Sequence, residues 1–245
     1  MKLLCITPTY GRDVKLLQNC LACFNSQTYD NAYQIYLDDT YDGDAIRGDR
    51  FAVLQTKNRF NNLSVKHNYA VELGTSIFGK CDAIVIWDDD DIYLPNHLEN
   101  VVRSLENEAS FSYSSSVYMC LDNEQTPKVD PTGYGRFHGN IAFTEELYCL
   151  NKWNDTLRMD FDHKMIQGLI DNGVEFDRSD LGHPTYVYRW STSGEHHCSG
   201  VSTGPGDENW YFKTPNNRQG PLTNLEPSFD ENTLIVRDYL KQSQL

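Results

Sequence analysis

Apolar residues in the first half of the chain fall in short unbroken blocks, separated by stretches spaced as helices. Leu3-Leu4-Cys5-Ile6, Tyr33-Gln34-Ile35-Tyr36-Leu37, Phe51-Ala52-Val53-Leu54 and Ala83-Ile84-Val85-Ile86 read as strands, the first and last buried on both faces. Between them, Val14, Leu17, Leu21 and Phe24 recur at helical spacing behind Asp13, the expected N-cap, as far as about Ser26. A second helix is expected from a cap at Ser64, through Lys66, Asn68, Ala70 and Val71, closing near Gly74 to Gly79. A third opens at Pro95, where a missing N–H costs nothing, and runs to about Glu108. Strand–helix alternation over roughly the first 120 residues predicts an α/β fold: a mostly parallel, Rossmann-like sheet with helices on its faces.

The second half is mixed. Phe111 to Leu121 alternates as one strand, and Lys128 to Phe137, rich in Gly, Pro and Tyr, reads as loop. A further element begins at His138 to Phe143, and Glu145 to Leu150 is a short helix. Asp160 opens a helix with Met165, Ile166, Leu169 and Ile170 on one face, and Thr185 to Trp190 reads as a strand. Residues 191–206 are polar, 209–226 have no periodicity, and Glu231 to Gln242 is a final helix. With neither repeat nor linker, the expected organisation is one domain over 1–245, divided into halves at about residue 120.

Charge narrows the choice of partner. The chain has 245 residues and a formal net charge of −14, which disfavours nucleic acid and anionic membranes. No apolar run approaches the ~20 residues that cross a bilayer, so no transmembrane segment is expected. Lys2 to Ile6 opens like a signal peptide but stops at Thr7-Pro8-Thr9. Seven scattered cysteines suit reduced thiols and a cytoplasmic location. Cys20 and Cys23 lie within the first helical pattern, which favours buried packing over redox or zinc chemistry.

Three strands end in polar residues at one edge: Thr7 and Thr9, Asp38 and Asp39, and the run Asp88-Asp89-Asp90-Asp91. Ligands of open α/β sheets collect at the carboxyl ends of strands. Four successive aspartates repel one another unless water or a cation neutralises them. A solvated acidic turn is the plain alternative, and the buried strand before the run argues against it. Arg12 and Lys66 are suited to a diphosphate or, equally, to solvated surface positions.

These motifs resemble those of glycosyltransferase family 2 enzymes of the GT-A type. The resemblance rests on Ile6-Thr7-Pro8-Thr9-Tyr10-Gly11-Arg12, Leu37-Asp38-Asp39-Thr40-Tyr41-Asp42, Trp87 to Ile92 followed by Pro95 and Leu98, and Met159-Asp160-Phe161-Asp162. It implies a GT-A fold whose first half (1–120) binds a nucleotide-sugar, here a UDP-sugar, and whose second half (121–245) binds a glycan or other hydroxyl acceptor. It places Thr7, Thr9, Tyr10, Arg12, Asp39, Lys66, Asp88 and Asp89 on the donor. Asp90 is placed on Mn²⁺ or Mg²⁺ through a DXD motif, with His197 (or its neighbour His196) as a further metal ligand. Asp160 is implied as the base of an inverting hexosyl transfer, with Asp162 as its alternate because Met159 replaces the usual Glu. Tyr134, His138 and Asn140 fall at acceptor positions, and Trp190, Trp210 and Tyr211 are candidates to stack on a sugar.

Two other classes fit part of the pattern. A haloacid dehalogenase-like phosphohydrolase also carries Asp-x-Asp after a strand, normally the first strand, and would release phosphate from a generic ester. A calcium-dependent carbohydrate-binding module would use the four acids structurally, would bind no nucleotide, and leaves Thr9 and Asp39 unexplained.

Overall fold

The computed structural model describes residues 1–106, 109–113, 116–121, 128–130, 137–156, 161–174, 176–178, 183–190 and 216–243. The apolar blocks form the centre of an eight-stranded sheet. Its strands are β1 (Leu3–Thr9), β2 (Ala32–Asp38), β3 (Ile46–Arg47), β4 (Phe51–Gln55), β5 (Ala83–Ile86), β7 (Phe111–Tyr113), β10 (Ile141–Thr144) and β11 (Phe176–Arg178). The spatial order is β11-β7-β10-β5-β1-β2-β4-β3. β5, β1, β2 and β4 run parallel, whereas β10 is antiparallel to both β5 and β7.

The pleat of β1 and β5 divides the core. Leu3, Cys5, Ala83 and Val85 face one apolar cluster, and Leu4, Ile6, Ile84 and Ile86 face the other. The first side is covered by α1 (Val14–Asn25), α3 (His97–Glu106) and α6 (Glu231–Ser243); the second by α2 (Leu63–Phe78), α4 (Glu145–Leu150) and α5 (Phe161–Asp171). Alternate residues of a strand point to opposite faces, so an unbroken apolar run is what a doubly covered sheet requires. Asp13 caps α1 by accepting from the Lys15 N–H, as expected. Asn62, rather than Ser64, caps α2 through the Val65 N–H. Ser64 is already inside the helix and buried.

A second sheet orders as β6-β12-β8-β9, from β6 (Ile92–Tyr93), β12 (Tyr186–Trp190), β8 (Val117–Leu121) and β9 (Lys128–Asp130). The stretch 111–121, expected as one strand, is therefore two, β7 and β8, in different sheets. The loop expected at Lys128 begins instead with β9. β5 ends at Ile86 and β6 begins at Ile92, so the four aspartates lie at the corner where the chain leaves one sheet for the other.

Candidate active site

β1 ends at Thr9, paired in register with Asp38 at the end of β2, and this aligned edge brings the expected residues together. Asp39 is fully buried. Its Oδ1 accepts from Lys66 Nζ at 2.5 Å and Arg59 Nη1 at 2.7 Å, and its Oδ2 accepts from the Phe60 N–H at 3.0 Å. Burial alone disfavours the carboxylate, but Lys66 and Arg59 outweigh it and hold the Asp39 pKa below its ordinary value. Lys66 also donates to the Thr9 carbonyl at 2.5 Å, and burial draws its pKa down in spite of Asp39. Arg59 lies over the Tyr10 ring, 3.5 Å from its centroid. Asp38 is also buried, and accepts from Arg218 Nη2 and from Thr40 Oγ1. Thr7 turns inward, accepting from Gln34 Nε2 at 2.9 Å.

The acid corner is organised differently. Arg12, 4% exposed, donates through Nε to Asp89 at 3.0 Å and through Nη2 to Asp90 at 2.6 Å. Burial lowers the Arg12 pKa, but the two carboxylates more than offset this and raise it. Asp91 accepts from the Tyr186 hydroxyl and, at 2.8 Å, from the Arg189 N–H. Burial and then Asp90 push its pKa up to about 8. Asp88 is half-buried; burial, followed by repulsion from Asp91, Asp90, Asp89 and Asp162, raises its pKa well above the carboxylate range. The same repulsion places Asp162, in the first turn of α5, within electrostatic reach of the corner.

The backbone closes tightly behind Asp88. Its N–H donates to Tyr93 Oη at 2.7 Å, and the Tyr93 hydroxyl donates to the Gly139 carbonyl at 2.9 Å. A Cβ on Gly139 would lie 2.5 Å from Asp88 Oδ2 and 2.9 Å from both the Tyr93 and Tyr186 hydroxyls. His138, expected near the acceptor, has its ring in an aromatic group, 5.0 Å from His67 and 6.1 Å from Trp153. Asn140 is buried.

Lys66 and Arg12 are thus drawn inward to carboxylates, and the solvated-surface reading of them does not hold. Cys20 and Cys23 pack in the core, with burial raising both thiols. Asp160, His196, His197, Tyr134, Trp210 and Tyr211 lie outside the described residues, as does the side chain of Trp190. Sequence reasoning missed Arg59, Arg218, Tyr93, Tyr186 and Gly139. Their partners are 20 or more residues away, apart from Tyr93, whose partner Asp88 was in plain view.

Among the described residues, no group of three or more His, Cys, Asp or Glu side chains forms a ready metal cage. The donor set still suits a hard divalent ion, which needs only one or two carboxylates when water and phosphate supply the rest. A pocket of about 730 Å³ also opens between Asp42 to Ile46 and Pro221 to Thr223. Its described lining has two aspartates and no cation, so it is unsuited to a diphosphate.

The model of one family, glycosyl transferase family 2, matches residues 4–165, which include both acidic edges and the segment through α4. The chain belongs to glycosyl transferase family 2. The expected GT-A architecture is the one observed, and two solved structures of TarS from S. aureus are similar to it. The structure of TarS 1-349 has a TM-score of 0.57 at 13% identity and covers 80% of this chain and 62% of its own. A second TarS structure has a TM-score of 0.51 at 14% identity, covering 77% of this chain and 37% of its own. The chain therefore spans less than two thirds of either TarS structure, and at such identity the likeness is one of fold. A search of curated proteins finds no match. No described helix of this family 2 chain is long and apolar enough to cross a membrane.

Proposed function

We propose that the chain is a metal-dependent inverting glycosyltransferase that moves a sugar from a UDP-sugar to a hydroxyl acceptor on a glycan. The observation that carries this reading is the alignment of Thr9 and Asp38 in register, with the acid corner at the end of the neighbouring strand β5. The family match supports the same reaction class. In this reading Thr9, Tyr10 and Asp39 frame the nucleotide base, while Asp88 and Asp89 face the ribose and diphosphate side. Asp90 would hold Mn²⁺ or Mg²⁺, with His197 as a candidate ligand from outside the described residues. Bound there, the ion would neutralise charge on the departing diphosphate.

The chain's own residues supply the remaining chemistry. A carboxylate, Asp160 or its alternate Asp162, takes the proton of the acceptor hydroxyl as that oxygen bonds to the anomeric carbon. The bond from that carbon to the diphosphate oxygen breaks on the opposite face, which inverts the centre. Such a base contributes ~10²–10⁴-fold. Arg12 holds Asp89 and Asp90 in place.

The test is release of UDP from a panel of UDP-sugars with Mn²⁺, with and without acceptor glycans. Asp160→Asn should retain the melting temperature and donor affinity and cut transfer by ~10²-fold or more, since Asn still caps a helix but takes no proton. Near wild-type transfer by that variant would move the role to Asp162. Phosphate release from a generic ester, with no UDP-sugar turnover, would favour the hydrolase instead.

A further inference from the structure

We infer that the C-terminal strap at residues 216–222 is a working part of the donor site, and that Arg218 is a donor-positioning residue acting through Asp38. This rests on the reading of the edge as a nucleotide-sugar site. The strap lies outside the family-matched residues 4–165, yet it sits directly on the first loop of the site. Gly11 has φ +61°, and a Cβ there would meet Asn216 Cα at 2.7 Å, so the two backbones touch with no room for a side chain. The Asn217 N–H donates to the Gly11 carbonyl at 2.7 Å.

The strap then crosses to the second loop. Asn216 Nδ2 donates to Tyr41 Oη at 3.1 Å, and the Tyr41 hydroxyl donates to the Arg218 carbonyl at 3.1 Å. Arg218, only 4% exposed, donates through Nη2 to the fully buried Asp38 and through Nε to the Gly220 carbonyl at 3.1 Å. Asp38 accepts from Thr40 Oγ1 at 2.5 Å, and Thr40 Oγ1 accepts from the Gly11 N–H at 2.6 Å. The circuit closes: Gly11 to Thr40 to Asp38 to Arg218, and back along the strap to Gly11. Farther along, Leu222 exchanges both backbone hydrogen bonds with the Gln55 side chain, at 2.6 and 2.8 Å, pinning the strap beside β4.

The consequence is geometric. Thr9 ends β1, and the loops after β1 and β2, neither with regular structure of its own, carry Tyr10 and Asp39. Their separation sets the width of any slot between them; Lys66 and Arg59 link them from within the site, and Arg218 is the charged link supplied by the strap. Loosening the link should change how well a nucleotide is held more than how fast a bound donor reacts.

The experiment is calorimetric titration of UDP with Mn²⁺ into the wild-type chain, Arg218→Gln, Arg218→Lys and Tyr41→Phe, alongside donor KM and kcat. Arg218→Gln should weaken UDP and raise donor KM by about tenfold, the effect of losing one charge-assisted bond, with kcat at saturation little changed. Arg218→Lys should recover part of that loss. Tyr41→Phe, which keeps the ion pair and removes one hydroxyl, should give a smaller loss in the same direction, and it carries the test if Arg218→Gln does not fold. Wild-type UDP affinity in both Arg218→Gln and Tyr41→Phe, whatever their melting temperatures, would overturn the inference and leave the functional reading intact. A wild-type chain that binds none of UDP, GDP and dTDP would overturn both.

Discussion

Two acidic clusters share one sheet edge, and they are balanced in opposite ways. At the end of β2, the carboxylates of Asp38 and Asp39 meet Arg218, Arg59 and Lys66, and Asp39 titrates below its ordinary value. At the end of β5, the Arg12 guanidinium pairs with Asp89 and Asp90, Asp91 accepts from Tyr186 and the Arg189 N–H, and Asp88, Asp89 and Asp91 titrate above their ordinary values. Burial penalises charge in both places, so the difference is the supply of cations. The first cluster is neutralised by the protein and serves to hold loops in position. The second is left short of positive charge, which is the condition that favours a divalent ion or a cationic centre.

Breaking the first cluster should cost most. Asp39→Asn leaves Lys66 buried with its main counter-charge gone, and should destabilise the chain by about 3–5 kcal/mol in denaturant unfolding. A loss under about 1 kcal/mol would show that Lys66 is not held by that charge. Gly139→Ala tests how tightly the second cluster is backed, since its Cβ would collide with Asp88 Oδ2 at 2.5 Å. We expect about 1–3 kcal/mol of lost stability and a large fall in turnover. Wild-type behaviour in both would mean that the 138–140 turn yields freely.

Acidity should separate the clusters further. With Asp91 raised to about 8, the folded chain keeps a proton that the unfolded chain has released above about pH 4. Stability should therefore fall as pH rises from about 4 to about 8 in chelator. Asp39 has the opposite sign: its contribution is present above the ordinary carboxylate pKa and is lost as pH falls below it. Asp91→Asn, which mimics the protonated carboxyl and still accepts from the Arg189 N–H, should flatten the upper window. An unchanged slope between those limits would remove Asp91 as its source. The smallest effect is a gain: Asp90→Asn relieves repulsion at the corner and should leave metal-free stability unchanged or raised by up to about 1 kcal/mol.

Strand positions and the polar edge were legible because unbroken apolar runs such as Ile84-Val85-Ile86 have few other solutions than a doubly covered strand. The acid run announced itself by the oddity of four like charges following such a strand. The split of 111–121 into β7 and β8 was not legible, since alternation says nothing about which sheet a residue joins. Nor was the neutralisation of Asp38 by Arg218, a contact across 180 residues through an aperiodic segment. Lys66 and Arg12 were recognised as relevant cations, but only the fold shows that each is already held by carboxylates.

In the proposed reading the under-neutralised corner, and not its balanced neighbour, takes the ion that binds the donor. Melting temperature should be measured for the wild-type chain and Asp90→Asn, each in chelator, with Mn²⁺ alone, and with Mn²⁺ plus UDP. UDP should raise the wild-type melting temperature only with Mn²⁺, because a ligand bound to the native state alone stabilises it. Asp90→Asn should melt at or above the wild-type temperature in chelator and show no shift with Mn²⁺ and UDP. An equal shift in both proteins, or a full UDP shift in chelator, would contradict it.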